Sequence, residues 1–246
     1  MNDKTAGEMP APFLSHAAFD EYAGDYEHAL NKGVSLSGES PDYFAGKRVE
    51  YTARWLHALR TPPPRRVADF GCGVGNSIPH FRRHFPQAEL LGMDVSAASI
   101  DRAREVHGDS SRFLVLNEAS GTAESELVYC NGVFHHIAPR DREAWAARVR
   151  EMLAPGGYFA LWENNPWNPG TRMVMRRIPF DRDAVPLAPG ESRAMLAGAG
   201  FEIVGTRFRF YFPNMLSGFR RLERFGERLP LGAQYCVLAR KWAKTQ

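Results

Sequence analysis

A run of apolar and β-branched residues, Val67-Ala68-Asp69-Phe70, leads straight into Gly71-Cys72-Gly73-Val74-Gly75 and then into a helix-compatible stretch from Ser77. Three alternate glycines in a strand-to-helix turn narrow the choice of fold sharply. Without Cβ atoms they take φ/ψ values that other residues avoid, and they let a flat or charged group press against the backbone. The turn therefore reads as a ligand cradle, with the N–H groups of the next helix aimed at the same point. Nineteen residues beyond Gly75, a second apolar strand, Leu90-Leu91-Gly92-Met93, ends in Asp94. A carboxylate there can accept hydrogen bonds from two ribose hydroxyls. Strand, glycines, helix and distant acid in this order indicate a nucleoside ligand; the plainer alternative is a structural turn with a surface aspartate.

The surrounding sequence supplies a matching scaffold. Strand-like runs at Arg66–Phe70, Glu89–Met93, Phe113–Leu116, Glu126–Asn131, Gly157–Trp162, Phe201–Phe208 and Gln234–Ala239 alternate with helix-like runs at Ser77–Phe85, Ala97–Val106, Asp141–Leu153 and Glu191–Ala199. Short apolar strands alternating with helices predict a mostly parallel α/β sheet covered on both faces. Pro155-Gly156-Gly157 reads as a helix stop and a turn into the next strand. Upstream, Phe19, Tyr22, Tyr26 and Leu30 recur at helical spacing, and a second helix is expected over Asp42–Leu59. The stiff Thr61-Pro62-Pro63-Pro64 then divides the chain into a tail and helical appendage, 1–61, and a domain, 62–246.

Composition excludes several classes. At 44% hydrophobic and 24% charged, the 246 residues suit a globular domain. Apolar runs no longer than Tyr158–Trp162, and a start with no apolar signal core, lead us to expect a cytoplasmic protein without a membrane span. Cys72, Cys130 and Cys236 form no CxxC pair, which argues against disulfides and a structural metal. The net charge of +3 is uneven: residues 1–138 carry 13 Lys+Arg against 18 Asp+Glu, and 139–246 carry 18 against 10. The basic half suits either an anionic ligand or solvated helix faces. Its arginines form no run interleaved with stacking aromatics, so no nucleic acid is expected.

Dinucleotide sites usually space their glycines G-x-G-x-x-G. Here the spacing is G-x-G-x-G, and Asp69 would repel a pyrophosphate while suiting an ammonium and a sulfonium. In these residues the chain resembles the class I S-adenosylmethionine-dependent methyltransferases, whose first motif reads acid-x-G-x-G-x-G and whose second strand ends in an acid. Leu127-Val128-Tyr129-Cys130-Asn131-Gly132-Val133-Phe134-His135-His136-Ile137 is similar to the fourth strand and following loop of ubiquinone-biosynthesis-like members, often closed by His-His-Ile. Leu153-Ala154-Pro155-Gly156-Gly157 is similar to their Leu-x-Pro-Gly-Gly before the fifth strand. The resemblance spans about 62–246 and implies a Rossmann-like three-layer sandwich, with a mostly parallel seven-stranded sheet and an antiparallel last strand at Gln234–Ala239.

It implies further that S-adenosyl-L-methionine is the cofactor. Gly71 and Gly73 would contact its methionine part, Asp94 its ribose and Asn117 its adenine, with Asp69 and Gly75 completing the turn. The adenine position is commonly Asp followed by a small residue, whereas this chain has Asn117-Glu118. Helices before the first motif fold over the cofactor as a lid in small-molecule members. By that carry-over Tyr22 would face the cofactor, and Tyr26, Tyr43 and Arg48 the acceptor; gluing the appendage to the sheet is the alternative use of these residues. His135 and His136 would lie near the methyl group, as a base or as packing residues, with Asn131 orienting one reactant.

Asn164-Asn165-Pro166-Trp167 resembles the Asn-Pro-Pro-Tyr signature of amino-group methyltransferases but follows the fifth strand rather than the fourth. It is therefore read as the start of a loop forming the acceptor wall, through Asn164 and Arg172. Arg172, Arg176 and Arg177 either grip a carboxylate or phosphate or form a solvated face with Asp181 and Asp183. The reading is methyl transfer to a small, anionic acceptor, without metal, and a homodimer is compatible with it. Three rivals remain: attack on another carbon of the sulfonium with release of methylthioadenosine, a nucleotide-dependent oxidoreductase, and a non-catalytic cofactor-binding module.

Overall fold

Period-two burial sorts the strand residues between two cores. The computed structural model describes residues 33–116, 124–178 and 184–242. In it β1 (Arg66–Phe70), β2 (Glu89–Asp94), β3 (Arg112–Val115), β4 (Ser125–Asn131), β5 (Leu153–Asn164), β6 (Glu202–Arg209) and β7 (Gln234–Arg240) form one sheet in the order β3-β2-β1-β4-β5-β7-β6. The pairs within β1–β5 are parallel, and β7 runs antiparallel to both β5 and β6. Val67, Leu127, Tyr129 and Trp162 share one core with Val49, Phe81 and Ile100. Those three come from α1 (Pro41–Ala58), α2 (Ile78–His84) and α3 (Ala97–His107). Ala68, Phe70, Val128 and Cys130 share the other core with Trp145 and Leu196, from α4 (Arg142–Glu151) and α6 (Pro189–Gly198). The result is the Rossmann-like three-layer sandwich, and alternate residues of each buried strand serve opposite layers.

The expected strands and helices form with ends shifted by a residue or two, save at three places. β5 begins at Leu153, so the Pro155-Gly156-Gly157 turn is absorbed into the strand; Gly156 takes φ +81° there. The loop expected after the fifth strand contains α5 (Pro169–Arg177), capped by Asn168, whose side chain accepts the Thr171 N–H. A 3-10 stretch at Asn214–Leu222 and the short α7 (Glu223–Gly226) separate β6 from β7. The helix expected around Phe19–Leu30 lies outside the described residues. No helix among the described residues is long and apolar enough to cross a membrane.

The described part of the appendage is built into the sheet. Ser40 caps α1 by accepting the Tyr43 N–H, and Pro41 and Asp42 occupy its first turn. Val49, Trp55 and Leu56 pack under the strands, and the Trp162 indole N–H donates to Thr52 Oγ1 at 3.0 Å. The Thr52 hydroxyl in turn donates to the Arg48 carbonyl. We therefore expect Thr52→Val, which keeps the shape but strands the buried indole N–H, to destabilise the protein by about 1–3 kcal/mol. Urea unfolding measures this, and an unchanged midpoint would contradict it.

Candidate functional site

The strand order reverses between β1 and β4, and the loops leaving these two strands diverge there. In open α/β sheets a crevice opens outside the carboxyl ends at such a point. A cavity of about 620 Å³ occupies it, lined by Gly71, Asp94, Asn131 and Asn164 at or just beyond the ends of β1, β2, β4 and β5. That volume falls within the range of small-molecule sites.

The glycine turn forms part of the floor. Gly71, Gly73 and Gly75 have φ of +75°, +53° and +84°, the left-handed region that a side chain disfavours. A Cβ on Gly71 would strike Val133 of the β4 loop, whereas one on Gly73 would meet nothing within 4 Å. Gly73 thus borders open space. The turn is fastened to the end of β2: Gly71 and Cys72 donate to the Met93 carbonyl, and the Gly73 N–H donates to Asp94 Oδ2 at 2.8 Å. Asp94 Oδ1 accepts the Ser96 N–H at 2.9 Å. Asp94 is accordingly oriented by the backbone at the cavity wall.

Asp69 sits deeper. It is 3% exposed, lines the cavity, and its Oδ2 has no hydrogen-bond partner. Burial, reinforced by the Asp94 charge, pushes its carboxyl up to about 7, against the opposing pull of Arg48 and a hydrogen bond from Ser77. Buried polar atoms are rarely left unpaired. An orphaned carboxylate oxygen beside an open glycine turn fits the ammonium and sulfonium of S-adenosylmethionine.

Arg48 is held under the same floor. Its Nε donates to the buried Tyr129 hydroxyl at 3.2 Å and Nη1 to Gln234 Oε1 at 3.1 Å, while Gln234 Nε2 donates to Asn164 Oδ1 at 3.1 Å. This chain of bonds ties α1 to β4, β7 and β5. In the loop after β4, His135 and His136 line the cavity from a 3-10 turn, their rings 4.1 Å apart. His135 Nδ1 lies 2.6 Å from Glu163 Oε2, with both side chains buried, and Glu163 Oε1 accepts the Phe134 N–H at 2.9 Å. Glu163 therefore fixes both the ring and the loop that carries it.

The outer wall is apolar and aromatic. α5 contributes Met173 and Val174, α1 contributes Tyr43 and Phe44, and the segment after β6 contributes Phe210 and Phe212. Phe210 has φ +63° and packs edge-on against Phe44 at 5.0 Å between ring centroids. Arg220 also lines the cavity, lying over the Tyr43 ring and paired with Glu39 at 2.7 Å.

Of the residues singled out in the sequence, the structure brings Asp69, Gly71, Gly73, Asp94, Asn131, His135, His136, Tyr43, Arg48 and Asn164 to one cavity. Gly75 shapes the turn but does not line it. Arg172 is a correction: it is exposed on α5 and absent from the cavity wall, because Thr171 and Met175 take the inward face of that helix. Arg176 and Arg177 are exposed likewise. Tyr22, Tyr26 and Asn117 lie outside the described residues. Sequence reasoning missed Glu163, Gln234, Glu39 and Arg220. The one available signal was an acid closing an otherwise apolar strand, at Glu163. Among the described residues no group of three His, Cys, Asp or Glu side chains could hold a metal ion.

Comparison with known proteins agrees with this geometry. The family model described as "Methyltransferase domain" matches residues 68–159. A trans-aconitate 2-methyltransferase of Methylobacterium radiotolerans is 31% identical over 137 residues, covering 55% of this chain and 52% of the relative. One from Rhodopseudomonas palustris strain BisA53 is 34% identical over 139 residues, 56% of this chain and 53% of the relative. The chain thus spans about half the length of the relatives it matches. The crystal structure of a TehB-like S-adenosylmethionine-dependent methyltransferase from Corynebacterium glutamicum superposes with a TM-score of 0.57 at 16% identity, over 93% of this chain and 100% of that one, and so shares the fold. The glycine turn, the acid ending β2 and the antiparallel β7 are all in place, and the chain shares its fold with that S-adenosylmethionine-dependent methyltransferase and carries a matching methyltransferase-domain segment over residues 68–159.

Proposed function

We propose that this chain uses S-adenosylmethionine to methylate a small carboxylate-bearing molecule. The observation that carries the reading is the buried Asp69 carboxylate, its Oδ2 unpartnered at the edge of an open glycine turn. Asp69 would hold the ammonium, Gly73 leaves the room, and Asp94, aimed by the Gly73 and Ser96 N–H groups, would hold the ribose hydroxyls. When bound, the cofactor supplies a methyl group activated by its sulfonium, so that catalysis rests on approach, alignment and exclusion of water. The aromatic outer wall excludes water, and His135, set by Glu163, faces the acceptor space together with His136 and Asn131. A carboxylate arrives ionised and needs no base, so the His135–Glu163 pair serves here to position rather than to deprotonate. The similarity to trans-aconitate 2-methyltransferases, whose named acceptor is a polycarboxylate, supports an anionic acceptor.

The direct test is incubation with methyl-labelled S-adenosylmethionine and trans-aconitate or related acids. Label is expected in a base-labile methyl ester; label kept on the nucleoside product as methylthioadenosine would overturn the reading.

Calorimetry with S-adenosylhomocysteine should show Asp94→Ala binding at least about tenfold more weakly, the worth of one charge-assisted contact. Unchanged binding would contradict the placing of the ribose. Asp69 adds a pH dependence. Its folded-state carboxyl titrates at about 7 against an ordinary 3.8, so the ligand-free protein holds this proton more tightly than the unfolded chain does. Stability from this group is present below about pH 4 and is lost as the pH rises towards 7, by at most on the order of 4 kcal/mol. Asp69→Asn should flatten that slope in urea titrations. Because an ammonium needs the ionised partner, affinity for S-adenosylhomocysteine should fall about tenfold per unit below pH 7 in the wild type and not in Asp69→Asn. Glu163→Gln should lower kcat roughly 10- to 100-fold with homocysteine-nucleoside affinity unchanged; an unaltered kcat would remove the positioning role.

A further inference from the structure

The segment between β6 and β7 sorts its charges in an unusual way. Between residues 214 and 231, Arg221, Arg224 and Arg228 are exposed, while the two acids are drawn inward. Glu223 is 5% exposed and accepts the backbone N–H groups of Tyr211 and Phe212. Glu227 is paired with Arg207 and Arg209. The outer surface of this stretch is therefore purely cationic.

The same stretch exposes large apolar side chains: Met215 (88%), Phe225 (73%), Leu231 (65%), Phe219 and Leu222. The exposed Trp167 adjoins them, since Asn165 and Asn168 beside it donate to the carbonyls of Pro230, Gly232 and Leu231. Single exposed apolar residues are ordinary, but a concentration of this kind marks a surface that another phase or partner covers. The surface also continues into the cavity wall, because the Phe219 ring packs 5.9 Å from that of Phe212.

We infer that this face docks on an anionic lipid bilayer surface. Aromatic and aliphatic side chains interspersed with arginines, with no exposed acid, suit the boundary between headgroups and acyl chains: the apolar groups enter it and each guanidinium meets lipid phosphate. Charge complementarity decides against a second copy of the chain. A two-fold interface sets the same patch against itself, so the arginines of one protomer would face those of the other. Peripheral docking of this kind needs no membrane-spanning helix. It also sets the aromatic mouth of the cavity beside the lipid.

Sedimentation of the 246-residue chain with unilamellar vesicles of phosphatidylcholine, with and without phosphatidylglycerol, tests the inference. Binding is expected only to the phosphatidylglycerol vesicles, weakening with salt. Each arginine at 221, 224 or 228 changed to Gln should cost about fivefold in partitioning. Phe225→Ser should release the protein from vesicles as well. Unaltered S-adenosylhomocysteine binding in these variants shows that they are folded. Three results would overturn the inference: no vesicle binding, binding indifferent to phosphatidylglycerol and to the arginines, or concentration-dependent self-association abolished by the same substitutions. Intramolecular cross-linking of residues 1–32 to the strip, with vesicle binding absent, would assign it instead to the chain's own N-terminal segment.

Discussion

The hydrogen bond from the Gly73 N–H to Asp94 Oδ2 joins the two features on which the site is built. It closes the glycine turn against the end of the neighbouring strand, and it aims the carboxylate at the same time. Both need the parallel β1–β2 register, in which Phe70 stands beside Met93 and so brings the two strands to an end together. The turn can be this tight because Gly71, Gly73 and Gly75 all take positive φ, and because Val133 fills the space a side chain at Gly71 would need. Sequence, register and site geometry are thus one constraint seen at three levels.

A second constraint governs charge. The Asp94 carboxylate lies close enough to Asp69 to raise the cost of ionising it, and Asp69 is almost sealed from water. Isolated buried charge is expensive. Arg48 offsets part of that cost, yet it is committed to Tyr129 and Gln234 and leaves Asp69 Oδ2 unpartnered. In the proposed reading a cationic ligand would complete this arrangement and would account for so unfavourable a group in the floor. The tyrosine–arginine–glutamine–asparagine chain meanwhile locks α1 across the sheet ends, so the helix upstream of the glycine turn is a structural part of the cavity.

The fold was largely legible because its signals are local. Period-two apolar strands, glycines at a strand end and an acid ending the next strand each show within a dozen residues, and the family resemblance added the antiparallel β7. What was not legible depends on distant partners. Glu163 is merely an acid at the end of a strand until the fold sets it against His135. Arg220 and Glu39 come from opposite ends of the chain and meet only through the segment after β6. Arg172 looked inward when its stretch was read as a loop; helical geometry gives the inward positions to Thr171 and Met175 and turns the arginine outward. Pro155-Gly156-Gly157 is part of β5 rather than a turn before it, and the β4–β5 register shifts there with Gly156 at positive φ.

The central claim is that the carboxylates of Asp69 and Asp94 hold opposite ends of one charged nucleoside. A crystal structure of the chain with S-adenosylhomocysteine tests it most directly. The account expects the ligand's amine about 3 Å from Asp69 Oδ2 and both ribose hydroxyls on Asp94. A ligand seated with its amine on another group, or its sugar away from the end of β2, would contradict the account.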